Sequence, residues 1–229
     1  MEGWVTQDSL FISGEGDNWY RRNRSALDNP DKLDWPLHLF DLLGNKEAIT
    51  SVIELGCSNG FRLAKFKREY LPNARCVGVD ASTEAISTGK SLFPEVELYH
   101  GTISAPPVEG HFDLVVVNYV LHWVDRSQLS RSLAAVDCLV KDGGLLLLGD
   151  FLPDYPQRRR YHHRPEEQVF TYKQNYSASF LALGLYREMA RLTYDHDGAS
   201  SYELLPVDSQ RRGVCTLQVK SLNGYYPEV

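Results

Sequence analysis

The rhythm of hydrophobic positions changes near residue 50. From Ser51 onward, short β-branched or aliphatic runs alternate with longer segments whose apolar residues recur every three to four positions, as expected of βαβ units around a mostly parallel sheet. Ser51 to Leu55 reads as a first strand ended by Gly56, and Gly60 to Tyr70 as a helix with Phe61, Leu63, Ala64 and Phe66 at near-helical spacing. Pro72 stops that helix. Arg75 to Val79 then forms a second short strand, and Ser82 to Leu92 a second helix with Ser82 as its cap and Glu84 in its first turn. Glu95 to Tyr99 is a third strand. Phe112 to Val117 and Gly144 to Leu148 are continuous apolar runs of the kind buried on both faces, which puts them near the middle of the sheet. Between them, Gln128 to Val140 carries Leu129, Leu133, Val136, Leu139 and Val140 at helical spacing and stops at Asp142-Gly143-Gly144.

Two regions break this rhythm. Residues 1–48 hold a polar and aromatic stretch from Phe11 to Asn23 and an amphipathic one from Leu37 to Leu43, and read as a lid or helical flank to a main domain at 49–229. After the fifth strand, Phe151 to Asn175 mixes Pro153, Pro156 and Pro165 with clustered Arg, His and Tyr, the composition of an inserted cap at about 151–176. A helical pattern follows from Ser177 to about Leu192, and Tyr202 to Leu205 with Val214 to Leu222 predict a closing antiparallel pair. The expected fold is α/β: a Rossmann-like, seven-stranded, mostly parallel, doubly wound sheet with an antiparallel C-terminal strand, an N-terminal lid and an insertion after strand 5.

Composition narrows the function. The 229 residues are 43% hydrophobic, and 24 Lys and Arg against 30 Asp and Glu give a net charge of −6, which argues against general attraction to nucleic acid. The longest apolar runs are four residues, Leu114 to Val117 and Leu145 to Leu148, far short of the ~20 that span a bilayer. Met1 to Asp8 has neither a basic nor an apolar leader-like stretch. Cys57, Cys76, Cys138 and Cys215 are scattered without metal or disulfide spacing. These features predict a cytoplasmic monomer or homodimer acting on a small molecule, with no metal site, no nucleic acid and no membrane span.

The most informative segment is Val52-Ile53-Glu54-Leu55-Gly56-Cys57-Ser58-Asn59-Gly60. Gly56 and Gly60 lack a Cβ, so the backbone can turn sharply off the strand and approach a ligand closely, while the helix starting near Gly60 aims its free N–H groups at the same space. Twenty residues on, Asp80 ends the second strand, where a carboxylate can accept hydrogen bonds from ribose hydroxyls. A dinucleotide fingerprint needs further glycines where Ser58 and Phe61 stand, so a phosphate-free nucleoside with a charged tail suits the loop better.

On these residues the sequence resembles the class I S-adenosylmethionine-dependent methyltransferases. Glu54 to Gly60, with Cys57 and Ser58 inside it, is similar to that family's glycine-rich first motif, Ser58 standing at the usual middle glycine. The resemblance makes Asp80 the ribose ligand, sets Ala81 beside the adenine, and aligns Thr102 and Ile103 where the family often carries an acidic residue for the adenine amino group. Phe112 to Val124 resembles the fourth-strand motif of small-molecule methyltransferases, with Asn118 facing the methionine part of the cofactor and His122 and Trp123 just beyond. The Leu139 to Leu148 segment resembles the approach to strand 5. Around Trp19, Tyr20, Arg22 and Asn23 the chain resembles the N-terminal segment of methyltransferases of bacterial surface-sugar pathways, and Tyr20 or Arg22 would meet the methionine carboxylate. The implied cofactor is S-adenosyl-L-methionine, with S-adenosyl-L-homocysteine as product.

Transfer of a methyl group to a hydroxyl benefits from a base. His122 is the first candidate and His162 or His163 the alternative carried in by the cap; His122 could equally be a packed structural residue. Arg158, Arg159 and Arg160 with Tyr161 form either a solvated charged face or a binding patch for an anionic acceptor. The expected activity is methylation of a hydroxyl on a small polar metabolite or sugar, with an anionic one favoured by the Arg run. The alternatives are methylation of a small-molecule amine and a binding module without chemistry.

Overall fold

The computed structural model describes residues 6–27, 33–198 and 209–226. Its strands are β1 (Ser51–Leu55), β2 (Arg75–Asp80), β3 (Glu97–His100), β4 (Phe112–Asn118), β5 (Val140–Phe151), β6 (Gln157–Arg160), β7 (Phe170–Lys173), β8 (Tyr186–Asp195) and β9 (Arg212–Lys220). Seven of them form one sheet in the order β3-β2-β1-β4-β5-β9-β8, and β6 with β7 makes a separate two-stranded ribbon. β1 pairs parallel with β2 and β4, and β4 with β5. β9 runs antiparallel to both β5 and β8, so six strands point one way and β9 alone opposes them.

Pleating explains why the middle of the sheet reads as an unbroken apolar run. In β4, Leu114 and Val116 enter one core cluster and Val115 and Val117 the other, all four fully buried; each burial is worth about 1.5–3 kcal/mol relative to exposure. Helices α1 (Gln7–Leu10) and α2 (Gly16–Leu27) lie at the N-terminus, followed by α3 (Trp35–Asp41), α4 (Phe61–Lys65), α5 (Thr83–Leu92), α6 (Leu129–Leu139) and α7 (Ser177–Leu181). Residues of α3, α4 and α5, among them Phe40, Leu63 and Ile86, pack on one face; Val136 of α6 and Phe180 of α7 pack on the other. Ser82 caps α5 as expected, its hydroxyl accepting from Ala85 N at 2.9 Å, and Asp34 caps α3 by accepting from Leu37 N at 3.0 Å.

Two expectations change. The helical pattern from Ser177 to Leu192 is helix only as far as Leu181; Gly184, at φ +71°, turns the chain and Tyr186 to Asp195 becomes β8. Glu188, Met189, Ala190, Arg191 and Leu192 favour helix intrinsically, but a free edge on β9 offers a full ladder of hydrogen bonds and overrides that preference, with a bulge between Glu188 and Ala190. The partner of the C-terminal strand is therefore β8, while the expected strand at Tyr202 to Leu205 lies outside the described residues. Within the expected insertion, the ordered feature is the β6–β7 ribbon. No helix of the described residues is long and apolar enough to cross a membrane.

Candidate active site

The carboxyl ends of β1, β2 and β4 meet at a cavity of about 680 Å³. At its first end the chain leaves β1 through three left-handed residues, Gly56 (φ +77°), Ser58 (+53°) and Gly60 (+79°). A Cβ on Gly56 would stand 2.1 Å from Val120 Cγ2, so only glycine fits that corner. Ser58 takes the strained conformation where the family motif has glycine, at a cost of about 1 kcal/mol. Asp80 offsets it: one carboxylate oxygen accepts from Ser58 N at 2.7 Å and the other from Ser82 N at 2.8 Å. Burial pushes the Asp80 carboxyl up, while those main-chain hydrogen bonds work in the opposite direction. Ser58 Oγ and Asn118 Oδ1 are buried without hydrogen-bond partners, which marks two polar atoms with unused capacity beside the cavity.

The N-terminal helices close over this end and are fixed at three points. Gln7 bonds the carbonyl of Trp123 and both the N–H and carbonyl of Phe170. Asp17 accepts from Ser82 Oγ at 2.7 Å and Glu84 N at 2.9 Å, and Gly16 sits so near Ala81 that an added Cβ would reach its carbonyl at 2.9 Å. Glu15, 1% exposed, receives Tyr161 Oη at 2.8 Å, Arg22 at 2.5 Å and Arg164 Nε at 3.1 Å. The ribbon and the N-terminal helices are thus joined through one buried carboxylate.

The second end of the cavity is built from side chains. His122 is 5% exposed; its Nδ1 lies 3.0 Å from Asp150 Oδ1, and its main-chain N–H donates to Asp150 Oδ2 at 3.2 Å. An Nδ1–H donated to that buried carboxylate leaves Nε2 as an acceptor. The Phe151 ring is the hub of this chamber: the centroids of Tyr119, His122 and His196 lie 5.1, 5.1 and 4.9 Å from it, and Lys173 Nζ stands 3.6 Å above it. Tyr119 donates its hydroxyl to Tyr194 at 3.1 Å, and burial pushes both phenols up. His162 and His163 lie against each other with tilted rings, centroids 3.9 Å apart, at the ribbon's turn, where burial, Arg22 and His162 hold the His163 imidazole low.

The structure brings most of the expected site residues to this one cavity: Trp19, Cys57, Ser58, Asp80, Ala81, Thr102, Ile103, Asn118, Trp123, His122, Arg159, Arg160, Tyr161, His162 and His163, with the Gly56 corner. Five do not line it. Tyr20 is buried with its hydroxyl 3.5 Å from Asn59, and Arg22 is held by Glu15 and Tyr161. Glu54 points into the core, where Arg62 bridges it to Asp34 and burial pushes its carboxyl up to about 7. Gly60 packs on Leu98 at the start of α4, and Arg158 is turned by strand alternation to the opposite face, 4.8 Å over Phe170. The sequence reading missed Asp150 as the partner of His122, and missed Tyr119, Phe151, Lys173, Tyr194 and His196 altogether. Among the described residues no cluster of His, Cys, Asp and Glu has metal-binding geometry.

This is the ligand end of a doubly wound α/β sheet, with a nucleoside-sized cradle opening into a second chamber. Residues 52–144 match the family model described as a methyltransferase domain. The chain is 29% identical over 120 residues to an uncharacterized methyltransferase of Synechocystis, covering 52% of this chain and 50% of that protein. It is 32% identical over 74 residues to trans-aconitate 2-methyltransferase of Azoarcus, covering 32% and 29%. The chain therefore spans half or less of the length of these curated relatives. Among solved structures, it is similar to a Burkholderia thailandensis 1,6-didemethyltoxoflavin-N1-methyltransferase with bound S-adenosylhomocysteine (TM-score 0.69, 16% identity, 93% of this chain and 88% of that one). It is similar also to the N-methyltransferase NodS of Bradyrhizobium japonicum in complex with S-adenosylhomocysteine (0.59, 17%, 84% and 89%). Residues 52–144 thus match a methyltransferase domain, within a fold shared with solved methyltransferases that hold S-adenosylhomocysteine, and S-adenosylmethionine is the cofactor to set against this site. The residues present suit it: a glycine corner that a side chain would block, a buried carboxylate at the end of β2, and the unpartnered Ser58 Oγ and Asn118 Oδ1.

Proposed function

We propose that this protein is an S-adenosylmethionine-dependent methyltransferase that methylates a hydroxyl group on a small polar acceptor. The observation that carries the choice of a hydroxyl is the His122–Asp150 pair, 3.0 Å apart and buried at the junction of the two chambers. Residues 1–48 act as lid, and residues 49–229 as the cofactor-binding domain with its insertion at about 151–176. Asp80 would hold the ribose hydroxyls, the Gly56 to Ser58 corner and Asn118 the methionine part, and Ala81, Thr102, Ile103, Trp19 and Trp123 the adenosine surroundings. Bound S-adenosylmethionine supplies an activated methyl carbon and a neutral thioether leaving group.

His122 Nε2 takes the acceptor hydroxyl's proton as the oxygen becomes nucleophilic, and Asp150 fixes the imidazole's tautomer and orientation and steadies its positive charge afterwards. The aromatic walls of the chamber hold the acceptor in line, which is where much of the rate arises in such transfers. Purified protein with labelled cofactor and a panel of hydroxyl and amine acceptors tests the reading. A methyl ether product that depends on His122 is expected. A methylated amine formed equally well by the His122→Ala variant would instead make the protein an N-methyltransferase, and tight cofactor binding with no product from any acceptor would make it a binding module.

A further inference from the structure

We infer that the acceptor is a small carboxylate and that one face of the β6–β7 ribbon, through Arg159, Thr171 and Lys173, takes its carboxylate group. The inference rests on the methyltransferase reading and deepens it. In the ribbon, Gln157 is opposite Lys173 and Arg159 opposite Thr171, while Arg158 faces Tyr172 and Arg160 faces Phe170. Residues directly opposite share a face and neighbours along a strand do not, so the run of three arginines is divided. Arg158 and Arg160 lie over the Phe170 ring at 4.8 and 5.8 Å, and Arg160 also donates to the Pro165 carbonyl. Arg159, Thr171 and Lys173 line the cavity from the other face; Arg160 also reaches the cavity, but is held by the Phe170 ring and the Pro165 carbonyl.

That second face is made almost wholly of donors. It offers a guanidinium fork, a hydroxyl and an ammonium that already donates to the Gln210 carbonyl at 2.9 Å and has further protons to give, with the Gln157 side-chain nitrogen, buried and without a hydrogen-bond partner, beside them. Carboxylates also reach this end of the cavity, but each is already engaged: Asp34 accepts from Arg62 at 3.0 and 2.9 Å, and Asp195 from Arg211 at 3.2 and 2.5 Å. No carboxylate among the described residues engages Arg159. The ribbon is therefore an electropositive wall within a protein of net charge −6. Lys173 also sets its distance from the chemistry, since its ammonium stands over the same Phe151 ring that His122 abuts edge-on. An acceptor whose carboxylate meets Lys173 and Arg159 and whose hydroxyl meets His122 would span about one aromatic ring, and the chamber's walls are aromatic.

The test uses 4-hydroxybenzoate and its neutral counterpart 4-hydroxybenzamide as probes. Their binding to the full chain is measured by calorimetry with S-adenosylhomocysteine present, after the binding of S-adenosylhomocysteine alone. The acid should bind at least tenfold more tightly than the amide, and the preference should shrink as salt is raised. It should be lost in Arg159→Met and Lys173→Met, largely restored in Lys173→Arg, and kept in Lys90→Met, which removes an exposed charge from α5. Arg159 is itself exposed, so its variant keeps the question answerable even if the Lys173 variant folds poorly. Equal binding of acid and amide, binding of neither, or an acid preference that survives Arg159→Met would overturn the inference while leaving the methyltransferase reading intact. Failure of S-adenosylhomocysteine itself to bind would sink that reading and this one together.

Discussion

The two ends of the cavity are made by different means. The cofactor end is built from main chain: three left-handed residues leave β1, and one carboxylate at the end of β2 clasps the turn through the N–H groups of Ser58 and Ser82. The proposed acceptor end is built from side chains on four separate parts of the fold. His122 comes from the loop after β4, Asp150 and Phe151 from the end of β5, Arg159 and Lys173 from the ribbon, and Tyr194 and His196 from the end of β8. A main-chain corner is fixed once its neighbours are packed, so its shape is settled by the fold. A constellation of side chains can change one residue at a time, and that is where specificity between relatives of one fold resides.

Substitutions can pull the two ends apart. The largest effect is expected at the acceptor end: His122→Ala should lower turnover by roughly 10²–10⁴-fold while leaving the calorimetric affinity for S-adenosylhomocysteine within about twofold. Asp150→Asn should follow it to a smaller degree. Next comes the cofactor end. Asp80→Ala removes two charge-assisted hydrogen bonds to the loop as well as the proposed ribose contact, and should weaken S-adenosylhomocysteine binding about 100-fold, with turnover largely recovered at saturating cofactor. A variant pair in which His122→Ala abolished cofactor binding as fully as Asp80→Ala would mean that the two ends are one unit.

Asp113, at the opposite end of the sheet from the cavity, calibrates stability apart from binding. Its carboxylate receives Thr50, Ser51 and Lys141 at 2.8–3.1 Å; although burial works against it, those donors hold the carboxyl well below the usual range. A depressed carboxyl stabilises the fold above its unfolded value and ceases to do so as pH falls through that value toward the folded one. Asp113→Asn should cost about 2 kcal/mol, seen as a lower denaturation midpoint, in full above about pH 5. The gap from wild type should narrow below about pH 4. Smallest is the effect expected for Glu15→Gln. Loss of the charge joining Arg22, Tyr161 and Arg164 should raise the acceptor KM about fivefold, near 1 kcal/mol, without shifting cofactor affinity. An equal shift in both constants would show that the N-terminal helices serve the whole cavity.

The same difference in construction governs what the amino-acid order revealed. Gly56, Gly60 and Asp80 announce a main-chain corner because few other residues tolerate those conformations and positions, so the cradle and the central strands are readable locally. The acceptor chamber is not. The segment from Tyr186 to Leu192 carries helix-favouring residues and becomes a strand only because β9 offers it an edge. Read as helix, it gives no reason for Tyr194 and His196 to reach the cavity; as β8, its end delivers both. Asp150 likewise looks like an ordinary residue closing a strand until the loop after β4 folds back and sets His122 against it. The three consecutive arginines are indistinguishable in sequence, and the pleat of β6 is what turns Arg158 away from the cavity that Arg159 lines.

The position of β9 bears on how the molecule is made. It is synthesised after β8 yet lies between β8 and β5, so a growing chain that has reached Asp195 holds a sheet whose β5 margin, with Leu145 to Leu148, is still bare. Such a margin invites pairing with other chains, and β8 has no ladder to the sheet until its intervening neighbour arrives. The nascent protein can therefore shape its nucleoside cradle well before Tyr194 and His196 find their seats. Translation arrested short of Arg212 would leave a product with half its pocket and an adhesive flank.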